Sequence, residues 1–323
     1  MKKNKLISGL FIAALVLMSF TTAPKEPKTE SQKTDVSVKS YKKGLNFFVI
    51  SDWGWNGYKD QQIVADQMGI QADKIHPQFI VSCGDNFQIA GVASTQDPLW
   101  ANSFENVYKN LSLMVDWYPV LGNHDYKGNT QAEIDYSNVS RRWRMKDHYY
   151  TFVRKVNDSI SARFIFLDTP PLVEEYHRGN GYPDVAVQDT AKQVQWLNDV
   201  LANSTEQWKI VFGHHPVYSA SKTHGNTPEM IQRVKPLLEK YHAQFYFCGH
   251  DHDFQHLREK GKDVEYVVTG TGGEPRPCST DAHSVYSHSA PGFSEVTFHG
   301  DSIRVVFMAA TGEPLYTIER AYR

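Results

Sequence analysis

The chain has 323 residues, of which 41% are hydrophobic and 22% are charged, so it can form one large domain or two small ones. Its formal net charge of −2 is unevenly distributed, because the first 43 residues carry +6 and the remainder from Gly44 carries −8. Nucleic-acid-binding proteins generally need a basic surface, which an acidic body does not supply. We therefore expect no nucleic-acid partner.

Residues 1–23 have the organisation of a secretory signal peptide. Three lysines stand among the first five residues, and Leu6 to Phe20 form an apolar core of 15 residues. That length is short for a membrane span, and Thr21 to Ala23 supply small residues for cleavage. We expect an exported protein, periplasmic or secreted, without stable membrane insertion once the signal is cleaved. Retention of this segment as an anchor is the alternative.

Residues 24–43 are rich in Lys, Glu, Thr, Ser and Pro and almost free of apolar side chains. This composition predicts a disordered spacer, followed by one domain over residues 44–323. The three cysteines, Cys83, Cys248 and Cys278, allow one disulfide at most. Cys83 and Cys248 each follow an apolar run, and we expect both to be small buried hydrophobic residues.

The first half of this domain alternates between apolar strands and helices. We predict strands at 47–50, 79–83 and 117–121, and a helix at 60–75. A second helix is indicated by apolar residues at the i, i+3, i+4 and i+7 positions of one face. These residues are Phe104, Val107, Tyr108 and Leu111. A polar helical region follows Tyr126 and ends near Arg144.

The second half begins with a predicted hairpin, residues 149–156 and 163–167, which turns at Asn157-Asp158. An irregular stretch at 169–187 precedes a helix face formed by Val194, Leu197 and Leu201. Strands are predicted at 208–212 and 244–248. A long helix with Ile231, Val234, Leu238 and Tyr241 on one face lies between them. The remaining predicted strands are 266–268, 295–298, 303–307 and 314–318.

This order of elements, βαβαβ followed by antiparallel strands, predicts an α/β protein of the α+β type. We expect two mixed β-sheets packed face to face and flanked by helices. In such folds, ligands bind beyond the carboxyl ends of the strands. The chemistry of this chain should therefore lie where its apolar strands end.

Five predicted strands end in side chains that can bind metal ions. The five motifs are Ser51-Asp52, Gly84-Asp85, Gly122-Asn123-His124, Gly213-His214 and Gly249-His250-Asp251-His252. Together they offer two carboxylates, one amide and three imidazoles as ligands, which is too many for one ion with an open position and suits two. Two ions roughly 3.5–4 Å apart can clamp a phosphate group and lower the pKa of a bridging water. His124 stands beside a ligand and can position or protonate a substrate.

At these motifs the chain resembles the calcineurin-like metallophosphoesterases, and most closely the small tartrate-resistant, purple acid phosphatase type. The closer resemblance is carried by Gly84-Asp85-Asn86-Phe87, Gly122-Asn123-His124-Asp125-Tyr126, Tyr149-Tyr150, Leu167-Asp168-Thr169 and His214-His215-Pro216-Val217-Tyr218-Ser219. It extends from about Phe47 to about Phe307. It implies a four-layer metallophosphoesterase sandwich as the catalytic domain over residues 44–323, a two-metal centre and hydrolysis of phosphate monoesters.

The resemblance also implies a role for each site residue. Asp52 and His252 are expected to bind the first metal, Asp85 to bridge, and Asn123, His214 and His250 to bind the second. The catalytic residues are expected to be His124 and His224, which touch the substrate phosphate or protonate the leaving group. The role of His224 rests on the resemblance alone. The expected cofactors are two divalent or iron-type ions, with Fe, Zn and Mn as candidates.

Gln88 departs from the pattern of the purple enzymes. Those enzymes carry a tyrosine three residues after the bridging aspartate, and its phenolate binds ferric iron and produces the colour. A glutamine amide oxygen is a weak neutral ligand that cannot replace the charge of a phenolate. We predict a first-metal site with a weaker preference for ferric iron, holding Fe(II), Mn(II) or Zn(II), and no purple colour.

The leading hypothesis is an exported phosphomonoesterase in which a metal-bridging hydroxide attacks the phosphorus in line. Its partner is a small phosphorylated substrate, and we expect a monomer. A phosphodiesterase, nucleotidase or pyrophosphatase on the same centre is the alternative, and a non-catalytic protein that kept the fold is a third hypothesis. Residues 169–187 are either a lid or an ordinary surface loop, and the sequence leaves both open.

Overall fold

Two β-sheets of short, mostly buried strands form the centre of the structure, a computed structural model that describes residues 44–322. The predictions for the signal peptide and the spacer concern residues outside this range. The strands are β1 (Asn46–Ile50), β2 (Phe79–Ser82), β3 (Asp116–Pro119), β4 (Tyr150–Lys155), β5 (Ser161–Phe166), β6 (Trp208–Phe212), β7 (Phe245–Cys248), β8 (Phe254–Leu257), β9 (Glu265–Thr269), β10 (Ser284–His288), β11 (Gly292–His299), β12 (Ser302–Ala309) and β13 (Pro314–Ala321). The α-helices are α1 (Gln61–Ile75), α2 (Thr130–Asp135), α3 (Thr190–Ala202), α4 (Pro228–Arg233) and α5 (Lys235–Lys240).

Both sheets are mixed, as predicted. The first has six strands in the order β13-β12-β11-β1-β2-β3, with β1, β2 and β3 parallel and the other three antiparallel. The second has seven strands in the order β10-β8-β9-β7-β6-β5-β4, with β5, β6, β7 and β9 parallel. The predicted hairpin is the antiparallel pair β4 and β5.

The two sheets pack through aromatic side chains on their inner faces. The Phe47 ring on β1 lies 5.5 Å from the Phe164 ring on β5 and 6.3 Å from the Phe212 ring on β6, measured between centroids. Helix α1 buries Val64 and Met68 in the same core. Helices α3, α4 and α5 bury a separate cluster against the second sheet. Helices therefore flank both sheets, and the prediction of two mixed sheets flanked by helices is confirmed.

Strand register brings the carboxyl ends of five parallel strands to one region. In the first sheet Ile50 pairs with Ser82, and Ser82 pairs with Pro119. In the second sheet Phe212 of β6 pairs with Phe247 of β7. All five metal-capable motifs follow these strands directly, so the fold delivers them to the same edge of the molecule.

Two predicted helical regions contain less helix than the sequence indicated. Around Phe104 the chain forms a π-helical turn, Trp100–Glu105, and then leaves the helix. The side chain of Asn110 accepts a hydrogen bond from the Ser112 amide and starts a separate 3₁₀ turn, so Leu111 is 86% exposed. The polar region after Tyr126 contains only the six residues of α2 as α-helix.

The long helix predicted across Ile231 to Tyr241 is two short helices, α4 and α5, that meet at Val234. Pro236 explains the break, because proline has no amide hydrogen to donate to the preceding turn and its ring crowds that turn. Val234 and Leu238 are still buried, as their spacing predicted. Strands β8 and β10 were not predicted. Across residues 44–322, no helix is both long and apolar enough to cross a membrane.

Candidate metal centre

Three of the predicted ligands stand in a backbone conformation that side chains rarely adopt. The φ angles are 59° at Asp52, 48° at Asp85 and 69° at His250, all in the left-handed region. Asp85 and His250 each follow the motif glycine after a strand, and Asp52 is the second residue after β1. Such strained positions cost of order 1–3 kcal/mol each and cluster at functional sites. The strand ends are therefore built to turn the chain sharply where the ligands lie.

Two motif glycines allow the loops to approach one another. Gly84 has φ of +89°, and a Cβ atom there would come within 2.8 Å of the Gly122 amide nitrogen and of His214 Nδ1. A Cβ atom on Gly249 would collide with the side chains of Ser51 and Asp52. The glycines are needed because the loops after neighbouring strands contact each other at this point.

The two carboxylates lie inside the protein and meet the histidines. Asp52 accepts a hydrogen bond from the His250 amide at 3.0 Å, and its other oxygen lies 3.4 Å from His252 Nε2. Asp85 accepts from the His124 amide at 2.8 Å and lies 3.4 Å from His214 Nε2. Both carboxylates are almost fully buried.

Backbone carbonyls determine which ring nitrogen His214 and His252 present to the site. His214 donates from Nδ1 to the Cys83 carbonyl at 2.9 Å, which leaves Nε2 facing the site. His252 donates from Nδ1 to the Glu274 carbonyl at 2.8 Å, which also leaves Nε2 free. Metal-binding histidines commonly use the second ring nitrogen in this way to hold orientation and tautomer.

Asn123 joins the remaining histidine to the group. Its Oδ1 lies 3.1 Å from His214 Nε2 and 3.0 Å from His250 Nδ1. These two ring nitrogens are 3.3 Å apart. The six predicted ligands thus form one buried network, in which Asp52 and His252 lie on one side and Asn123, His214 and His250 on the other.

This donor set fits a dinuclear centre. Oδ1 of buried Asp52 has no hydrogen-bond donor within the described residues, although a buried carboxylate oxygen normally has a partner. Ligand atoms of Asp52, Asp85 and His214 all lie within 4.8 Å of one another. An unpartnered carboxylate oxygen beside imidazole nitrogens is an arrangement that a divalent ion satisfies.

His215 supports the site from behind. Its Nδ1 is 2.8 Å from Thr169 Oγ1 and its Nε2 is 2.9 Å from the Tyr176 hydroxyl, so both nitrogens are already engaged. Its ring lies 4.4 Å from that of His250. His215 therefore packs against the ligand His250 and is itself held by hydrogen bonds on both ring nitrogens.

The electrostatics of the centre reflect tight coupling between acid and imidazole groups. Burial alone would raise the pKa of Asp85, but the adjacent His214 and His124 hold it well below its usual value. Burial alone would lower the pKa of His214, but Asp85 raises it to about 9. Burial and the neighbouring His215 and His214 hold the pKa of His250 well below its usual value. His250 is therefore a neutral imidazole, the form that binds metals.

Both predicted catalytic histidines lie beside the ligand network. His124 is 26% exposed, and its Nε2 is 3.9 Å from Asp85 Oδ2. Its Nδ1 lies 3.3 Å from both the Ile89 carbonyl and Lys127 Nζ. The His224 ring lies 4.1 Å from that of His250, although 26 residues separate them along the chain. The sequence motifs alone gave no reason to place His224 here.

Gln88 is buried at 5% exposure, and its Nε2 has no hydrogen-bond acceptor among the described residues. An amide replaces the expected tyrosine at this position and offers no negative charge.

Sequence reasoning missed Asp125, whose carboxylate accepts hydrogen bonds from the amides of Gly122, Asn86 and Phe87 at 2.8–3.1 Å. It thereby joins the loop that carries Asp85 to the loop that carries Asn123. Its place two residues after Asn123 in the motif was the available signal.

Comparison with known proteins identifies the family. The family profile of calcineurin-like phosphoesterases matches residues 45–254. Purple acid phosphatase 17 of Arabidopsis thaliana is 32% identical over 329 residues, covering 97% of this chain and 95% of that protein. Tartrate-resistant acid phosphatase type 5 of Oryctolagus cuniculus is 32% identical over 299 residues, covering 84% and 89%.

Among solved structures, GAP50, the anchor in the inner membrane complex of Plasmodium, superimposes with a TM-score of 0.76 at 25% identity. The match covers 87% of this chain and 90% of that one. The profile match spans more than half of the chain, and the phosphatases are similar over nearly their whole length. This chain belongs to the calcineurin-like phosphoesterase family and is an acid-phosphatase-like hydrolase with a dinuclear metal centre.

Proposed function

We propose that this protein is an exported phosphomonoesterase. The observation that carries the proposal is the buried network of Asp52, Asp85 and His214, whose ligand atoms lie within 4.8 Å of one another and include an unpartnered carboxylate oxygen. Similarity to purple acid phosphatases favours monoesters as the substrate class.

We assign Asp52 and His252 to one metal ion, and Asn123, His214 and His250 to the other. Asp85 is the bridging ligand in this assignment, since its ligand atom lies within 4.8 Å of those of Asp52 and His214, one from each set. Two bound ions would hold phosphate oxygens and lower the pKa of a water molecule between them. The ions are of the Fe, Zn or Mn type, with a weaker preference for ferric iron because Gln88 lacks a phenolate.

The protein side chains supply orientation and proton transfer. His124 is partly exposed and reaches the site with Nε2, so it can give a proton to the leaving oxygen of the substrate. His224 lies against His250 and can contact the phosphate or serve as the second donor. No covalent intermediate with the protein is required.

Export is proposed from residues 1–23, whose basic start and apolar core of 15 residues are typical of a signal peptide. The spacer at 24–43 would then precede a catalytic domain at 44–323. Mass spectrometry of the protein recovered outside the cytoplasm would give its first residue. Recovery only as the full-length chain in the membrane fraction would favour the anchor alternative.

The ligand assignment is tested with Asn123→Ala, by measuring bound metal by mass spectrometry and hydrolysis of an aryl phosphate monoester. We expect loss of at least one ion per chain and of more than 99% of the activity, with an unchanged circular dichroism spectrum. Asn110→Ala, which removes a capping asparagine outside the proposed ligand set, should retain both ions. The assignment fails if Asn123→Ala keeps two ions and full activity. A fully loaded wild type without any esterase activity would instead support a non-catalytic protein.

A further inference from the structure

A pocket of about 550 Å³, here called the amide pocket, lies between the segment that follows β1 and the π-helical turn near Phe104. Residues 56–58 line one side of it, and Asn102, Asn106 and Val107 line the other, together with Gln62 of α1. Sites for small molecules usually have volumes of roughly 300–1,000 Å³. None of the lining residues is a proposed metal ligand, so the amide pocket is separate from the metal centre.

Two buried side chains hold the sides of the amide pocket together. Gln61 Oε1 accepts hydrogen bonds from the amides of Trp55 and Gly57, at 2.9 and 2.7 Å. Its Nε2 donates to the Ser103 carbonyl at 2.7 Å. Ser103 Oγ accepts from the Asn56 amide at 2.9 Å and donates to Asn56 Oδ1 at 3.0 Å. The pocket is therefore preorganised, and a ligand would not have to order it.

The backbone is unusual on both sides of the amide pocket. Asn56 has a φ angle of 58°, in the left-handed region that few side chains adopt. On the other side, residues 100–105 form a π-helical turn, which is rare and occurs frequently at functional sites. Strained conformations of this kind persist only where the surrounding contacts hold them, as Gln61 and Ser103 do here.

Amide side chains predominate in the lining of this pocket, namely those of Asn56, Gln62, Asn102 and Asn106. Gln62 donates from Nε2 to Asp66 Oδ1 at 2.8 Å, which leaves its oxygen free. Asn102 and Asn106 are exposed, and their side chains form no hydrogen bond within residues 44–322. Each free amide offers two donor hydrogens and an acceptor oxygen. Hydroxyl groups, which both donate and accept, match this lining.

The described lining residues of the amide pocket carry no charge. Lys59, the next residue along the chain, is paired with Glu274, with 2.6 Å between Nζ and Oε1. Phosphate groups and metal ions are bound mainly through opposite charges, which this lining does not offer. The chemistry of the pocket therefore selects a neutral, hydroxyl-rich ligand.

Tyr58 adds an aromatic surface to the amide groups. It is 75% exposed, although it lines the pocket. An exposed aromatic ring has an apolar face on which the C–H face of a sugar ring can stack, while its hydroxyl remains available for a hydrogen bond. Amide groups for the hydroxyls and an aromatic face for the C–H groups are together suited to a carbohydrate.

We propose that the amide pocket binds a neutral saccharide. Its ligand is recognised through hydroxyl groups, whereas the metal centre is proposed to recognise phosphate. The inference goes beyond the proposed function, because it concerns a second site and does not depend on hydrolysis.

The proposal is tested by saturation-transfer difference NMR of the full chain with glucose, galactose, mannose, N-acetylglucosamine, maltose and cellobiose. We expect at least one of these probes to bind with a Kd on the order of 1 mM. Asn102→Ala, Asn106→Ala and Tyr58→Ala should each weaken this binding about fivefold. Asn138→Ala is the control, since Asn138 is also exposed but lies outside the pocket, and it should leave the Kd unchanged. Circular dichroism and thermal melting verify that each variant is folded.

Saturating inorganic phosphate should leave saccharide binding unchanged, because phosphate is expected at the metal centre. Displacement of the saccharide by phosphate would assign the binding to the metal centre and overturn the proposal. So would an unchanged Kd in all three pocket variants, or no binding of any probe up to about 50 mM.

Discussion

Asp52 reaches the centre of the site because a single residue after β1 adopts φ of 59°. Asp85 and His250 repeat this arrangement after β2 and β7. Asp, Asn and His tolerate the left-handed region better than most residues, although less well than glycine. The residue types that can bind metal ions are therefore also among those that tolerate a positive φ angle. The strained backbone after each strand places its side chain as a ligand.

Gln88→Tyr should give the iron-loaded protein a purple colour. Loaded with iron under oxidising conditions, the wild type is expected to show no strong visible charge-transfer band, because an amide cannot act as a phenolate. The tyrosine variant should show one, measured by absorption spectroscopy at matched iron content. A strong visible band in the wild type would refute this account of Gln88.

Asp125→Asn should weaken the metal centre without touching a ligand. The carboxylate accepts three backbone amides through two oxygens, and an asparagine keeps one of these oxygens. Since supporting partners of metal ligands typically contribute 10–100-fold, we expect a drop of that size in metal affinity or hydrolysis rate. Competition with a chelator measures the affinity. Asp135→Asn, on the exposed face of α2, is the control, and equal behaviour of the two variants would contradict the inferred role.

Among individual residues, the sequence predicted those that lie just after the end of a strand. Asp52, Asp85, Asn123, His214, His250 and His252 were all predicted in this way, and the structure brings them together. It could not place Tyr176 against His215, because that contact joins residues 39 positions apart in the chain. His224 was expected only through the family resemblance, for the same reason.

Secondary-structure elements depend on local signals that compete with apolar spacing. Phe104 and Tyr108 are both buried as their spacing required, yet Asn110 ends the segment by capping the next turn. Pro236 likewise divides α4 from α5 while Val234 and Leu238 remain in the core. Burial was therefore easier to predict than helix length. The spacing of apolar residues shows which face of a helix is buried, whereas single residues determine where the helix ends.

A charged cluster joins strands β8 and β9. We expect it to make the stability of the fold depend on pH. Glu265 on β9 lies 2.8 Å from His256 Nε2 on β8 and 2.9 Å from Arg258 Nε. Burial alone would raise the pKa of Glu265, but these hydrogen bonds hold it below its usual value. The ionised carboxylate thus stabilises the fold at pH values above its unfolded-state pKa of about 4.3.

Glu265→Gln should lower the free energy of unfolding by about 2 kcal/mol at pH 7, measured by urea denaturation. The difference from wild type should shrink as the pH falls through the depressed folded-state pKa, because the wild-type carboxylate is then protonated. Glu319→Gln is the control, since Glu319 is exposed and should change stability by less than about 0.5 kcal/mol. A difference that grows with acidification would contradict the cluster's role.

At the scale of the whole molecule, the aromatic core holds the two sheets in the relation that the site requires. Phe47 stacks on Phe79 in its own sheet and meets Phe164 of the other edge-on. Phe47→Ala should lower the free energy of unfolding by about 3–5 kcal/mol, because it leaves a cavity between the sheets. Phe47→Leu should cost much less. Urea denaturation measures both changes, and equal effects would contradict the explanation by a cavity.

The two-sheet architecture could be predicted from the succession of strands and helices, because buried parallel strands read as continuous apolar runs. The order of the strands within each sheet was not predicted, since it depends on pairing between segments far apart in the chain. The same fold serves an anchoring protein in Plasmodium, so the fold does not establish catalysis. The case for an enzyme lies in the retained ligand network of Asp52, Asp85, Asn123 and the three histidines.

The most direct test of this account compares the hydrolysis of an aryl phosphate monoester with that of the matching diester. The full chain, loaded with two equivalents of metal, is assayed with each substrate, and the ratio of kcat/KM values is measured. We expect a monoester preference of at least about tenfold, and loss of all activity when the metals are chelated. A preference for the diester would contradict the proposed phosphomonoesterase and assign the centre to phosphodiester chemistry.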